Sequence, residues 1–343
     1  MFTFTIRKHE LDFIKPAKTS RNVFTKRVIY LIGLHDTKSG KTGRGEAAPL
    51  SLLSVDDVTD YEPILRKKLE EFCAVGDLRE VDLVQYPSIR FGIETALLNL
   101  KADKAGRMYQ TPFTNGEVQI PVNGLVWMND AETMYKEALA KIAAGFTVIK
   151  FKVGALDFDE ECRMLERIRS QYSAFQITLR VDANGGFKAD EAQEQLQELK
   201  RFELHSIEQP IVTRQWDDMA KLCIDSPVDI ALDEELIGTD TGIEAAKMLG
   251  HIKPQYLILK PNLIGGVSKA DEWIGHAHKL DIDWWATSAL ESNVGLNAIA
   301  QWVSTYPVKL HQGLGTGGLF TNNLETHLQL SEGQMSYMAE PTL

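Results

Sequence analysis

Lys152, Asp182, Glu208, Asp233 and Lys260 each close a short apolar run, and they follow one another at intervals of 25 to 30 residues. The runs are Val148-Ile149, Ile177-Thr178-Leu179, Ser206-Ile207, Ile230-Ala231-Leu232 and Tyr256-Leu257-Ile258-Leu259. Three carboxylates offer only hard oxygen ligands, the donor set of a Mg2+ ion completed by waters or substrate oxygens. No thiolate or paired imidazole accompanies them, which argues against zinc. An amine on either side of such a cation suits one task, removal of a proton beside a substrate carboxylate. Taken singly, each acid reads as a helix N-cap at a strand-to-helix junction. Three at consecutive strand ends read as a metal site.

Lys150 points the same way as Lys152, because successive strand residues face opposite sides. A Lys-x-Lys pair alone would be two snorkelling surface lysines. A parallel strand covered on both faces gives lysine no such outlet, so Lys150 joins Lys152 and Lys260 as a candidate catalytic residue. Two adjacent buried amines are expected to lower the pKa of at least one of them. Arg180 and Asn184 share a face with Asp182, and Glu234 and Glu235 extend the acidic patch. Arg180, Asn184 and Glu234 are expected to support the ligands from behind.

An interval of 25 to 30 residues holds about one strand, one helix and two short loops. Repeated units of that kind close into a (β/α)8-type barrel, with all strand ends around one mouth. Strands are expected to begin near Ile120, Thr147, Ile177, His205, Asp229, Gln255, Asp283 and Val308. Helices fill the intervals, for example 131–144, 159–172, 188–202 and 268–280. Residues 1–110 differ in texture: strand-like stretches at 2–13 and 23–34, a hairpin turn at 40–45, then helices near 55–75 and 87–106. That order predicts an N-terminal α+β capping domain over 1–110 and an α/β barrel over 111–318. The remaining segment, 319–343, is too long for a loop and is expected to return to the cap.

The 343 residues exceed the roughly 250 of a bare barrel, so the surplus is a second domain or elaborate ends. A net charge of −11 argues against a nucleic-acid or anionic-membrane partner. The alternating N-terminus lacks a signal peptide's apolar core, and no run reaches the ~18 residues of a membrane span. Cys73, Cys162 and Cys223 are odd in number and far apart, as expected of reduced thiols packed in a cytoplasmic protein. The implied partner is a small-molecule carboxylate substrate; a homo-oligomer is compatible with the sequence.

Further motifs accompany the five residues: Gly45-Glu46-Ala47-Ala48-Pro49-Leu50, Phe91-Gly92-Ile93-Glu94-Thr95-Ala96, Lys150-Phe151-Lys152, Arg180-Val181-Asp182-Ala183-Asn184, Ile207-Glu208-Gln209-Pro210, Leu232-Asp233-Glu234 and Leu259-Lys260-Pro261. Together they make the chain resemble the enolase superfamily in its muconate-lactonizing subgroup, over nearly its whole length. The resemblance implies that Asp182, Glu208 and Asp233 bind Mg2+, that Lys152 is the acid/base and that Lys260 faces an enediolate. Within the subgroup, three stretches resemble the family that dehydrates a succinyl-bearing cyclohexadiene carboxylate in menaquinone synthesis. They are Pro16-Ala17-Lys18-Thr19-Ser20-Arg21, Ser288-Ala289-Leu290-Glu291-Ser292-Asn293-Val294-Gly295 and Gly313-Leu314-Gly315-Thr316-Gly317-Gly318-Leu319-Phe320. That likeness assigns both proton steps of a syn elimination to Lys152. Dipeptide epimerases of the subgroup carry an Asp-x-Asp at the eighth strand end, where this chain has His311-Gln312-Gly313. Racemases of N-succinylamino acids share both lysines and remain the nearest alternative. A Schiff-base lyase using Lys260 and an inactive barrel serving as a binding scaffold are the more distant ones.

A succinyl carboxylate needs donors, and Ser288, Ser292 and the backbone around Gly315 are candidates. Lys18, Ser20 and Arg21 would add positive charge if their loop closes over the mouth; a solvated turn is the competing expectation. Gly313-x-Gly315-x-x-Gly318 and Gly43-x-Gly45-x-x-Ala48 match a dinucleotide fingerprint without its strand–helix context. Trp273, Trp284 and Trp285 are expected in the core or barrel wall.

Overall fold

Phe2, Phe4 and Ile6 alternate with polar residues, which gives the first strand one apolar face. In the computed structural model, which describes residues 1–18, 23–104, 106–154 and 156–342, β1 (Phe2–Lys18) pairs antiparallel with β2 (Val23–Asp36). β2 pairs in turn with β3 (Thr42–Ala47), giving a three-stranded sheet. The turn between β2 and β3 is residues 37–41, earlier than the glycine spacing suggested, because Gly43 and Gly45 belong to the strand itself. α1 (Tyr61–Val75) and α2 (Pro87–Leu100) pack on this sheet, burying Leu65, Leu69, Phe72, Ile89 and Ile93 against Ile32 and Leu34. α2 lies so close to β3 that a β-carbon on Gly45 would meet the Gly92 carbonyl oxygen at 2.0 Å. Both helices are shorter than expected. Residues 51–60 form turns before α1, and Asp56 within them accepts from the Ser88 N–H and hydroxyl near the start of α2.

After β4 (Ile120–Pro121) the chain alternates: β5 (Gly124–Val126), α3 (Ala131–Ala143), β6 (Val148–Lys152), α4 (Phe158–Arg169), β7 (Thr178–Asp182), α5 (Ala189–Leu199), β8 (Ser206–Glu208), α6 (Trp216–Asp225), β9 (Ile230–Leu232), α7 (Ile243–Ile252), β10 (Tyr256–Leu259), the short α8 (Pro261–Ile264), α9 (Val267–Lys279), β11 (Asp283–Ala286) and α10 (Asn293–Val303). β5 to β11 form one parallel sheet in sequence order. Each strand is only three to five residues long and is covered by helices, so most of its side chains are buried on both faces.

Two strand expectations are corrected. The first barrel strand is β5, not the Ile120 stretch, which instead pairs antiparallel with the C-terminal hairpin. No strand begins at Val308; residues 305–310 form a turn and irregular chain with none of their side chains fully buried. Among the described residues the ring closes through two bridges. Gln312 bridges to Val122 and Gly313 to Thr287, both parallel. The last segment first touches the cap, where Phe320 bridges to Phe13 and Asn322 Oδ1 accepts from the Asp12 N–H at 2.8 Å. It then forms β12 (Thr326–Ser331) and β13 (Gln334–Thr342), and β13 pairs with β4. Among the described residues no helix is long and apolar enough to cross a membrane.

Candidate active site and metal centre

The register of the parallel strands sets Lys152, Asp182 and Glu208 side by side on three neighbours. Asp233 follows β9 and Lys260 follows β10, so both stand at the same mouth. Asp182, Glu208 and Asp233 each present an oxygen, and the three oxygens lie within 4.8 Å of one another. Lys150 Nζ is 2.8 Å from Asp182 Oδ2 and 2.5 Å from Glu208 Oε2. Lys152 Nζ is 2.6 Å from the same Asp182 oxygen and 2.9 Å from Asn184 Oδ1. From the far side of the ring, Lys260 pairs with Asp233 and stands 3.9 Å from Glu208 Oε1.

These contacts bear on the expectation that at least one of the paired lysines is pushed down. The lysines sit against carboxylates rather than only against each other, so Lys150 is not pushed down. Burial opposes its charge, but Asp182 and Glu208 outweigh burial and raise its pKa. Lys260 is likewise raised, with Asp233 foremost in overcoming burial. Burial also opposes ionisation of Asp182, yet Lys150, Lys152 and Lys260 hold its pKa well below the usual range. Glu208 goes the other way: burial and the Asp182 charge push it up to about 8. Burial raises Asp233 as well.

Three buried carboxyls at one spot therefore call for more positive charge than the lysines give. Glu208 Oε1 is enclosed and without a hydrogen-bond partner. An all-oxygen donor set with an unsatisfied oxygen fits a hard divalent cation.

Surrounding residues fix this centre. Asn184, left-handed at φ 47°, donates from Nδ2 to Glu234 Oε1 at 2.9 Å while its Oδ1 accepts from Lys152. Glu235 turns outward to the Arg214 N–H and the Trp216 indole, at 2.9 and 2.8 Å. Gln209, fully buried, accepts from the Asp233 and Glu235 N–H groups and so ties β8 to the turn after β9. Arg180 faces downward: its guanidinium lies 3.9 Å over the Trp285 ring and donates to the His311 carbonyl at 2.8 Å.

A pocket opens above the lysines between the cap loop at residues 50–53 and the barrel mouth. Ser288 and Gly315 line it, although the Ser288 hydroxyl is already given to Glu291. Ser292 lies outside the lining, at the start of α10, with its hydroxyl on Glu46. Lys18 ends β1 and is also outside the lining. Ser20 and Arg21 lie outside the described residues.

Three pocket residues escaped the sequence reading: Asn123, Thr287 and Thr316, whose Oδ1, Oγ1 and Oγ1 atoms are buried without partners. Nothing in their types marks them; only closure of the ring through Gln312 and Gly313 brings them together. Phe24, Leu50, Leu53, Leu125 and Trp127 supply an apolar wall.

Residues 133–341 match the Enolase C-terminal domain-like family and residues 8–100 match the MenC N-terminal domain family. The chain is 41% identical to the o-succinylbenzoate synthase of Desulfotalea psychrophila, over 95% of this chain and 96% of that one. It is 27% identical to the o-succinylbenzoate synthase of Vibrio cholerae, over 94% and 91% respectively. The crystal structure of MenC from Desulfotalea psychrophila superposes with a TM-score of 0.85 at 38% identity, covering 98% of this chain and 99% of that one. The L-Ala-D/L-Glu epimerase of Bacillus subtilis shares the fold, with a TM-score of 0.86 at 19% identity over 99% and 96%. By sequence and architecture together, the chain belongs to the enolase superfamily, in the family of the o-succinylbenzoate synthases.

Proposed function

We propose that this chain is an Mg2+-dependent hydro-lyase that converts 2-succinyl-6-hydroxy-2,4-cyclohexadiene-1-carboxylate to o-succinylbenzoate, a step of menaquinone biosynthesis. The observation that carries the reading is a triad of buried carboxylates with lysines on opposed strands, in a chain 41% identical to a synthase of that name. Asp182, Glu208 and Asp233 hold the cation, which when bound supplies a Lewis acid for the substrate carboxylate.

Lys152 is the base. Asp182 and Asn184 hold its amine at the mouth, facing the pocket. The neutral amine takes the ring proton beside the carboxylate, and the C–H electron pair becomes the enediolate. Lys260, across the ring, stays an ammonium and faces the new negative charge. The Lys152 ammonium then returns its proton to the leaving hydroxyl on the same face. Water departs and the ring becomes aromatic. Lys150, between Asp182 and Glu208, keeps both carboxylates in place. Ser288, Gly315, Thr287, Thr316 and Asn123 receive the succinyl arm.

Racemisation of N-succinylamino acids is the second reading, because opposed lysines also serve proton removal and return on two faces. The pocket carries no carboxylate at Gln312–Gly313, so an ammonium-bearing dipeptide lacks an anchor there. The test is turnover of the cyclohexadiene substrate with Mg2+, after EDTA, and after Mg2+ is restored. Loss and recovery of dehydration are expected. Fast α-deuterium exchange of an N-succinylamino acid in D2O, with no dehydration, would instead establish the racemase.

A further inference from the structure

Arg27 on β2 is 3% exposed, yet its guanidinium meets carbonyl oxygens rather than a carboxylate. A buried guanidinium is costly unless its donors are satisfied, and its planar fork of five N–H groups suits several acceptors at once. Two acceptors belong to the cap: Nη2 reaches Ala48 O at 2.6 Å and Nη1 reaches Pro49 O. The other two belong to the barrel: Nε reaches Leu290 O at 3.3 Å and Nη2 reaches Ala289 O at 3.5 Å. Both segments run into the pocket. Leu50 to Leu53 form its cap-side wall, and Ala289 and Leu290 form the facing wall.

Leu290 is in the left-handed region at φ 65°, a conformation that a branched side chain holds only under constraint. A second cap residue supplies more constraint. Glu46 Oε1 accepts from the Ser292 N–H at 2.8 Å, and its Oε2 from the Ser292 hydroxyl at 2.5 Å and the Gly295 N–H at 2.8 Å. Glu291, between them, takes the Ser288 hydroxyl and the Ala289 N–H. Neither Arg27 nor Glu46 lines the pocket, and the proton chemistry uses neither.

We propose that Arg27 is a positioning residue that staples the cap wall to the barrel wall and sets the width of the pocket above the lysines, with Glu46 holding the barrel side from behind. Arg27→Met keeps an unbranched chain and removes every donor. Hydrogen exchange of the free protein is expected to quicken by about tenfold in residues 48–53 and 287–292 and not elsewhere. With the cyclohexadiene substrate and Mg2+, KM rises about tenfold while kcat changes less than about threefold, the signature of lost ground-state fit.

Glu94→Gln is the control. Glu94 also reaches from cap to barrel, accepting from Val267 and Ser268 N–H groups at 2.7 and 3.1 Å at the start of α9, away from the pocket walls. Its loss is expected to lower Tm comparably and leave KM within about twofold. Equal KM increases in both variants, or exchange that quickens throughout the molecule in Arg27→Met, would overturn the staple. If Arg27→Met does not fold, Arg27→Lys keeps the charge and loses the fork. The same local exchange and KM shift, smaller, are then expected, and unchanged values refute the idea. The kinetic arm rests on the dehydratase reading and the exchange arm does not, so a wild type without turnover defeats that reading alone.

Discussion

The mouth and the floor of the barrel are made by the same strands from residues two positions apart, and they are opposites. Asp182, Asp233 and Lys260 at the mouth stand two residues beyond Arg180, Ala231 and Ile258 at the floor. The mouth gathers three carboxylates and three amines out of water, with one carboxylate oxygen unsatisfied. The floor gathers Ala231, Ile258 and Trp285, with Tyr256 and Leu310 against them and the Arg180 guanidinium over the indole. A cluster of buried charges costs stability and is retained for what it binds. A packed aromatic floor contributes stability and leaves chemistry to the other end. Substitutions at the two ends should therefore fail in different ways.

The largest separation is expected from Lys152→Ala. Loss of a general acid–base group typically costs about 10²- to 10⁴-fold, and the proposed mechanism gives one amine both proton steps, so kcat should fall by roughly 10⁴-fold. Asp182 keeps Lys150 at 2.8 Å, so thermal unfolding of the variant should stay close to wild type. Near-normal turnover would erase the proposed division between the ends. Trp285→Ala tests the converse. Removing a buried indole costs about 3–5 kcal/mol of stability, read as a lower denaturant midpoint, while kcat of the folded fraction is expected to change by less than about tenfold.

The smallest effect concerns His205, which stacks on Tyr256 at 5.0 Å on the floor. Burial, helped by the Arg180 charge, pulls its pKa down from 6.5 to about 4. The folded state thus prefers the neutral ring. That contribution is fully present above pH 6.5 and is lost as pH falls towards about 4. In His205→Gln the decline of Tm across that window should be shallower than in wild type. An identical decline would remove the floor from the molecule's acid response.

Much of the mouth was legible in the sequence because charged residues at the ends of apolar runs contradict their surroundings. Lys152 after Val148-Ile149 and Lys260 after Leu257-Ile258-Leu259 carry that contradiction on their face. The floor reads as ordinary core, since Ala231 and Ile258 look like any buried strand residue. The ends of the ring were the hardest to read. β5 is three residues long, and closure rests on Gln312 and Gly313, which is too little for any periodicity to register. That Lys150 is raised was not legible for a related reason. Sequence shows that two amines are neighbours on one strand, but the carboxylates that outweigh them arrive from β7 and β8. Asn123, Thr287 and Thr316 are common polar residues, and only the folded pocket reveals that their oxygens lack partners.

Closure through Gln312 and Gly313 also bears on how the molecule is made. Synthesis proceeds from the N-terminus, so every strand from β5 to β11 leaves the ribosome before the two residues that join the sheet's ends. Until then the parallel sheet has two raw edges, the kind of surface that invites pairing with another chain. The nascent sheet is thus most open to pairing with other chains until Gln312 and Gly313 have emerged, and shielding by a chaperone would matter most over that interval.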